Sequence, residues 1–286
     1  MPRITLGNDE PFSLDQTLGC GQVFRWNHSP DGSWTGVASG KVIRCRQKGR
    51  TLSFTGVDEP FIRHYFSFDL DLLAILESVD RDPFIHAAIG QCRGLRLIRQ
   101  PPWECLCSYI CATNTNIPAI RRRVATLAQQ FGDAIQEGEN TFFSFPDPSR
   151  ISCTGTASAL AECGLGYREP YVFKTACDTT AHETWAENIA ALPYEEARRE
   201  LMKFSGIGPK AADCVLLFSF QTFEAFPVDV WIRRIMREHY LPELPPDTAL
   251  TTREYDAIRT FARKHFGPYC GIAQEYIYAA REGSKT

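Results

Sequence analysis

The chain predicts an α+β fold: an N-terminal antiparallel β-sheet domain packed on a mostly α-helical body. Three observations predict it. At 286 residues the chain is longer than one ordinary domain of ~150, so two lobes, or one large lobe with an appendage, are expected. From about Phe12 to Gly56 the residues alternate in character between turn signals, the pattern of short strands. After about Asp82, Leu, Ala and Ile recur every three or four residues with Pro or Gly between the runs, the pattern of helices. The division is placed at residues 1–81 for the sheet and 82–286 for the helical domain. With 44% hydrophobic and 23% charged residues, disordered, collagen-like and low-complexity classes are excluded.

The elements follow in chain order. Met1 to Glu10 has no apolar core of signal-peptide type, and no run approaches the ~20 residues of a membrane span, so an intracellular chain without membrane association is expected. Val42-Ile43-Arg44-Cys45-Arg46 and Thr51-Leu52-Ser53-Phe54 read as strands, with Ser39-Gly40 and Lys48-Gly49 as hairpin turns. The 11 cysteines are scattered. No C-x-x-C pair occurs and no histidine neighbours Cys105, Cys107 and Cys111, so buried thiols are the reading over a zinc or iron-sulfur site. Pro193 suits the first turn of a helix with Ala197, Leu201 and Phe204 on its apolar face. Ser205-Gly206-Ile207-Gly208 stops it in a tight turn, with positive φ available at both glycines. Pro209 starts a second helix that buries Ala211, Val215 and Phe218. Leu244-Pro245-Pro246-Asp247 marks a surface loop.

A helix, a Gly-Ile-Gly hairpin and a second helix aim backbone amides and a helix N-terminus at one place, where a nucleic-acid phosphate fits. For Gly-x-Gly alone, an interhelical turn without a ligand is the favoured alternative. Lys210 then adds a chemical argument. A cation at the start of a helix opposes the helix dipole, and a neutral amine is a nucleophile able to form a Schiff base with a sugar carbon. Nineteen residues further on, Pro227-Val228-Asp229-Val230-Trp231 places Asp229 as the N-cap of another helix, an ionised carboxylate suited to stabilise a cationic sugar transition state. Taken singly, each has a plain alternative, an exposed lysine and a capping aspartate. The formal charge of −3 means that a nucleic acid must be held by a local patch and not by a global basic field.

Leu201 to Met236, with Gly206-Ile207-Gly208-Pro209-Lys210 and Pro227-Val228-Asp229, resembles the helix-hairpin-helix and Gly/Pro-Asp motif of the DNA glycosylase superfamily, on its lysine-bearing, lyase-competent side. Further stretches resemble the 8-oxoguanine DNA glycosylase family: Gly21 to Trp26, Glu104 to Ile117, Gly164 to Arg168, and Gly267-Pro268-Tyr269, in that family's order and nearly end to end. The four-cysteine cluster of the endonuclease III and adenine-glycosylase branches is absent, since only Cys270 follows Asp229.

The resemblance implies a bifunctional glycosylase/AP lyase that flips oxidised guanine out of the duplex. Lys210 and Asp229 would be catalytic. The Gly21 carbonyl would accept from the N7 proton that guanine lacks, Gln274 would read the pairing edge, and Cys214 and Tyr278 would hold the base between them. The family commonly has phenylalanine where Tyr278 stands. Asn114 and Tyr167 would fill and wedge the vacated stack, Arg168 would donate to the orphaned base, and Gly206 and Gly208 would meet a phosphate. The family's second arginine for the opposite cytosine is Ala119 here, and Arg121, Arg122 and Arg123 read as a solvated helix face. Weaker opposite-base discrimination is expected. The implied partner is double-stranded DNA containing oxidised guanine, bound by a monomer in the nucleus of a eukaryote or in the cytoplasm or nucleoid of a prokaryote. No metal or redox cofactor is implied beyond a possible structural cation at the hairpin. Two rivals stand beside this reading: a helix-hairpin-helix protein that binds DNA without chemistry, and a glycosylase for alkylated purines, which usually lacks the lysine.

Overall fold

The computed structural model describes residues 1–245 and 249–281. Pro246 and Asp247 of the loop expected there lie outside the described residues. The front of the chain runs β1 (Arg3–Thr5), α1 (Leu14–Gly19), β2 (Trp26–His28), β3 (Ser33–Ala38), β4 (Lys41–Lys48) and β5 (Thr51–Thr55). The strands form one antiparallel sheet in the order β1-β5-β4-β3-β2. Two-residue turns at Ser39-Gly40 and Gly49-Arg50 join β3 to β4 and β4 to β5, close to where the sequence places them. In β5 the alternation of side chains is clean: Leu52 and Phe54 are fully buried while Thr51, Ser53 and Thr55 are not, as a sheet with one covered face requires.

The body continues with α2 (Glu59–Tyr65), α3 (Leu72–Val79), α4 (Pro83–Gln91), α5 (Pro102–Cys111) and α6 (Ile117–Phe131), then a hairpin of β6 (Ala134–Glu137) and β7 (Asn140–Phe143). After it come α7 (Pro148–Ser152), 3-10 turns at Ala157–Cys163 and Gly166–Arg168, α8 (Glu169–Ala181), α9 (Trp185–Ala190) and α10 (Tyr194–Leu201). The chain closes with α11 (Pro209–Ser219), α12 (Val230–His239), α13 (Thr252–Phe266), a 3-10 turn at Gly267–Tyr269 and α14 (Cys270–Ala280).

Two apolar cores lie behind this arrangement. One gathers the inner face of the sheet with Ile62, Phe66 and Phe68; the other fills the helical body and includes Leu72, Ile75, Leu76 and Val79 of α3. Helical structure therefore begins before residue 82, and α3 packs with the body and not with the sheet. Asp71 caps it by accepting from Ala74 N at 3.0 Å, a local signal that the broad change of pattern near Asp82 obscures. The β6–β7 hairpin is a strand pair that the expected mostly helical second part did not specify, tied to the sheet by Arg44 and Glu137 at 2.8 Å.

The centre of the body is made by α5 packed on α11. Cys105, Cys107 and Cys111 are fully buried on α5, and Ala211, Ala212 and Cys214 on α11. Small side chains on both helices allow their close approach. The three cysteines are thus packing residues with free thiols, behaving as small hydrophobes.

Candidate active site

The hairpin between α10 and α11 forms where its sequence dictates. Pro193 caps α10 and Pro209 occupies the first turn of α11. Gly206 has φ +83°, and a Cβ there would lie 3.0 Å from the Tyr171 side chain, so glycine is required by conformation and by space. Gly208 differs from expectation. Its φ is −92° with ψ −178°, extended backbone open to any residue, and a Cβ there would meet nothing within 4 Å. Ile207 is buried and anchors the turn in the core.

Lys210 follows on the first turn of α11, half-buried, with its Nζ 5.0 Å from the centre of the Tyr109 ring. Burial pushes the Cys214 thiol, one turn on, up to about 11, although Lys210 draws it down. Asp229 caps α12: its side chain accepts from Ile232 N at 2.8 Å, as expected of an N-cap carboxylate. Lys210 and Asp229 both act electrostatically on one buried carboxyl, Glu275, in opposite directions.

A buried network fixes the two helices relative to each other. Asp213, fully buried on α11, accepts from Tyr194 Oη at 2.8 Å and Tyr255 Oη at 2.5 Å, with Arg198 Nε 3.1 Å away. Burial pushes Asp213 up to about 6 against the pull of Arg198 and both tyrosines. Tyr255 Oη in turn accepts from Val228 N at 3.3 Å, directly before Asp229. The helix of the amine and the loop of the acid are thereby held by the same buried groups.

The remaining expected residues arrive from both ends of the chain. Gln274 is buried on α14, 4% exposed, and its Oε1 has no hydrogen-bond partner among the described residues, a costly state that a ligand donor relieves. Tyr278 is half-buried; Asp229, Glu275 and Cys214 all act on its hydroxyl, which burial above all makes a weaker acid. Gly21 has φ +100°, with Ile117 Cδ1 2.9 Å from where a Cβ would stand. Its neighbour Gln22 pins the loop, donating to Thr17 O at 2.9 Å and Arg96 O at 2.9 Å, and accepting from Ile98 N at 2.8 Å. Cys20, on the other side of Gly21, donates its thiol to Thr17 O at 3.4 Å, and burial above all makes it a weaker acid, with Glu275 adding to the effect.

Asn114 and Tyr167 come together on the surface, Asn114 Nδ2 donating to Tyr167 Oη at 3.4 Å. Arg168, which the resemblance makes a donor to the orphaned base, is turned inward in this structure. It is 4% exposed, its guanidinium donates to the carbonyls of Thr113, Asn114 and Leu165, and its centre lies 4.3 Å from the Tyr167 ring centroid. These three carbonyls hold the cation inward, beside the Asn114 turn. Arg123 is likewise not part of a solvated face, since it donates to Gly164 O and Cys111 O, both at 3.0 Å. Ala119 lies in the first turn of α6, its N donating to Asn116 Oδ1 at 3.0 Å.

Sequence reasoning missed Glu275, Tyr109 and an apolar rim. Tyr167, Tyr171, Met202, Val230 and Trp231 are large exposed hydrophobics among the described residues. Tyr167 and Tyr171 pack edge to face 6.2 Å apart, Tyr171 borders Gly206, Met202 opens the hairpin, and Val230 and Trp231 follow Asp229. Such a rim around a site suits stacking and sugar contacts with an opened duplex. An apolar residue directly after a helix-capping acid, left unburied by the 3.6-residue period, was the available signal.

An amine and a carboxylate at two helix starts, behind a hairpin that presents backbone to a phosphate, are the equipment of a lysine-bearing helix-hairpin-helix DNA glycosylase, and that is the class which this fold and site define. A family model for the N-terminal domain of 8-oxoguanine DNA glycosylase matches residues 4–106. The N-glycosylase/DNA lyase of Saccharomyces cerevisiae is 28% identical, over 98% of this chain and 86% of its own length. A probable N-glycosylase/DNA lyase of Methanothermobacter thermautotrophicus is 30% identical, over 82% of this chain and 80% of its own. Among solved structures, the 8-oxoguanine glycosylase/lyase of Clostridium acetobutylicum, in complex with double-stranded DNA containing cytosine opposite 8-oxoguanine, superposes with a TM-score of 0.88 at 32% identity, covering 96% of this chain and 93% of that one. The chain belongs to the 8-oxoguanine DNA glycosylase/lyase family.

Proposed function

We infer that the protein is a bifunctional DNA glycosylase/AP lyase that excises 8-oxoguanine from duplex DNA in base excision repair. The observation that carries this reading is a half-buried Lys210 on the first turn of one helix and Asp229 as the N-cap of another, with helix and loop joined by one buried hydrogen-bond network through Asp213 and Tyr255. The relatives named as N-glycosylase/DNA lyases and the Clostridium complex support it.

In this reading the oxidised nucleotide is rotated out of the stack. Asn114 and Tyr167 occupy the gap, and the hairpin amides near Gly206 and Gly208 meet a phosphate. The base enters between Cys214 and Tyr278. Gln274, whose carbonyl oxygen is buried without a donor, reads its pairing edge, while the Gly21 carbonyl accepts from its N7 proton. Unmodified guanine would set a lone pair against that carbonyl, two acceptors face to face. As the glycosidic bond breaks, its electron pair leaves with the base and Asp229 stabilises the positive charge growing on the sugar. The Lys210 amine bonds to C1′, the ring opens to an imine, loss of a C2′ proton follows, and the 3′ phosphate departs by β-elimination. The chemistry calls for no redox or metal cofactor; a hydrated cation bridging hairpin carbonyls and a phosphate is compatible with it. The enzyme acts on intracellular DNA as a monomer.

Ala119 gives this reading a particular consequence. Its methyl group reaches no base across the duplex, and both Arg168 and Arg123 are engaged with backbone carbonyls. Weak discrimination of the opposite base is therefore expected. Single-turnover excision from duplexes carrying 8-oxoguanine opposite each of the four bases checks this: rates within about tenfold of one another are predicted, a spread of about 1.4 kcal/mol or less. A strong preference for cytosine contradicts the Ala119 reading. Excision of an alkylated purine, with 8-oxoguanine left intact, contradicts the substrate assignment.

A further inference from the structure

Lys210 and Asp229 serve one sugar from two different helices, so the chemistry depends on how the Asp229 loop is set against α11. Among the described residues the amide of Val228, a residue 1% exposed, has one acceptor, the Tyr255 hydroxyl at 3.3 Å. That hydroxyl donates in turn to Asp213 Oδ2 at 2.5 Å. Asp213 stands three residues after Lys210 on α11, a spacing that returns a helix to nearly the same face. Tyr255 thus bonds directly to the acid's loop and to the amine's helix. Its own place is fixed: it is 3% exposed in the first turn of α13, beside Glu254, which closes a capping box with Thr251 and accepts from Arg233 Nη2 at 2.8 Å. The start of α13 therefore grips the chain on both sides of Asp229, at Val228 before it and at Arg233 after it.

We propose that Tyr255 is a positioning residue for base excision: its hydroxyl sets the Asp229 loop against α11, so that acid and amine meet the sugar together. The proposal rests on the glycosylase/lyase reading above. The two hydrogen bonds run one way, from the Val228 N–H to Tyr255 Oη and from the Tyr255 O–H to the Asp213 carboxylate, so each strengthens the other. A buried amide stripped of its acceptor is drawn toward another one, and Asp229 moves with it. A misplacement of about 1 Å costs a reaction as much as ~10²-fold in rate. Tyr194 offers a matched comparison. It is 4% exposed and donates to the other oxygen of the same carboxylate, Asp213 Oδ1, at 2.8 Å, but makes no hydrogen bond to the Asp229 loop among the described residues.

The two halves of the proposed chemistry make unequal demands on this placement. As the base leaves, positive charge grows on the sugar before the amine has bonded, and Asp229 and Lys210 act at the same moment. At a preformed abasic site C1′ is already a carbonyl carbon: the amine adds to it, water leaves as the imine forms, and no sugar cation has to be stabilised. Strand cleavage there needs Lys210 and tolerates a displaced Asp229. Loss of the Tyr255 hydroxyl accordingly separates the two activities, which a general loosening of the fold does not.

Two single-turnover rates test this, excision of 8-oxoguanine from duplex DNA and strand cleavage at a preformed abasic site, each followed over a range of protein concentrations below the melting temperature. Tyr255→Phe is expected to excise about 30- to 100-fold more slowly at saturation, with the half-saturating concentration unchanged within about twofold and abasic-site cleavage within about threefold of the wild-type protein. Tyr194→Phe is expected to lower the melting temperature by a similar amount, about 5 °C, and to keep the ratio of the two rates within about threefold of the wild-type ratio. Should Tyr255→Phe not fold, replacing Val228 by its α-hydroxy acid deletes the same hydrogen bond from the donor side and leaves Asp213 fully paired; the same split is expected. Wild-type excision by Tyr255→Phe, equal slowing of excision and cleavage, or an equal change of ratio in Tyr194→Phe overturns the proposal, as does an unsplit pair of rates in the Val228 analogue. A wild-type protein that cleaves abasic sites but excises no 8-oxoguanine, or does neither, sinks the reading on which the proposal stands.

Discussion

Asp229 is asked to do two things at once, and the two separate by substitution. As a cap it accepts from Ile232 N; as a carboxylate it faces the reacting sugar in the proposed chemistry. Asparagine caps a helix nearly as well as aspartate but carries no charge. Asp229→Asn is therefore expected to melt with the wild-type protein and to lose about 10²- to 10³-fold in base excision, whereas Asp229→Ala also loses about 1 kcal/mol of stability with the cap. Thermal melts and single-turnover excision of both variants check this. Full excision by Asp229→Asn contradicts the electrostatic role. The position of this acid was legible because a proline before it and a helical run after it leave the cap as the available place. Glu275 was not legible. Within Gly271-Ile272-Ala273-Gln274-Glu275-Tyr276 it is one of two adjacent polar letters that carry no period of their own, and its burial is decided by the packing of α14 on the rest of the body, α4 above all.

The hairpin links local conformation to binding. Gly206 and Gly208 look equivalent in the sequence and are not. Gly206→Ala places a side chain in left-handed backbone against Tyr171 and is expected to cost about 1–2 kcal/mol. Gly208→Ala has extended backbone and open space, so the fold tolerates it and only the approach of a phosphate suffers. Melting curves should separate the two variants, while anisotropy titrations with duplex DNA should show both binding more weakly. Undiminished binding by Gly208→Ala contradicts the phosphate cradle. The two helices and their turn were readable because prolines mark both starts and the apolar residues keep the 3.6-residue period. The inward turn of Arg168 was not, because it depends on the Thr113 and Leu165 carbonyls, brought together from α5 and the 3-10 turns. The β6–β7 hairpin escaped for a similar reason: a four-residue strand beside a single glycine at Gly138 is too short a pattern to stand out among helices.

Across the whole molecule, sheet and body meet at the active site. The sheet side supplies the Gly21 loop, held by Gln22; the body supplies Lys210 on α11, Asp229 at α12, and Gln274 and Tyr278 on α14. The broad order of strands then helices was legible in the change of periodicity. The boundary was not, because α3 has the composition of either neighbour and only its packing assigns it to the body. A net charge of −3 excluded a global basic field without locating the face proposed to meet DNA; the exposed hydrophobics next to the hairpin and Asp229 became visible only in the structure. The central claim is that the Lys210 amine becomes covalently joined to the sugar of the lesion. Borohydride reduction during reaction with 8-oxoguanine duplex tests it directly. The wild-type protein should yield a stable protein–DNA crosslink that Lys210→Gln, folded and still binding DNA, does not form; crosslinking by both proteins, or by neither, would contradict it.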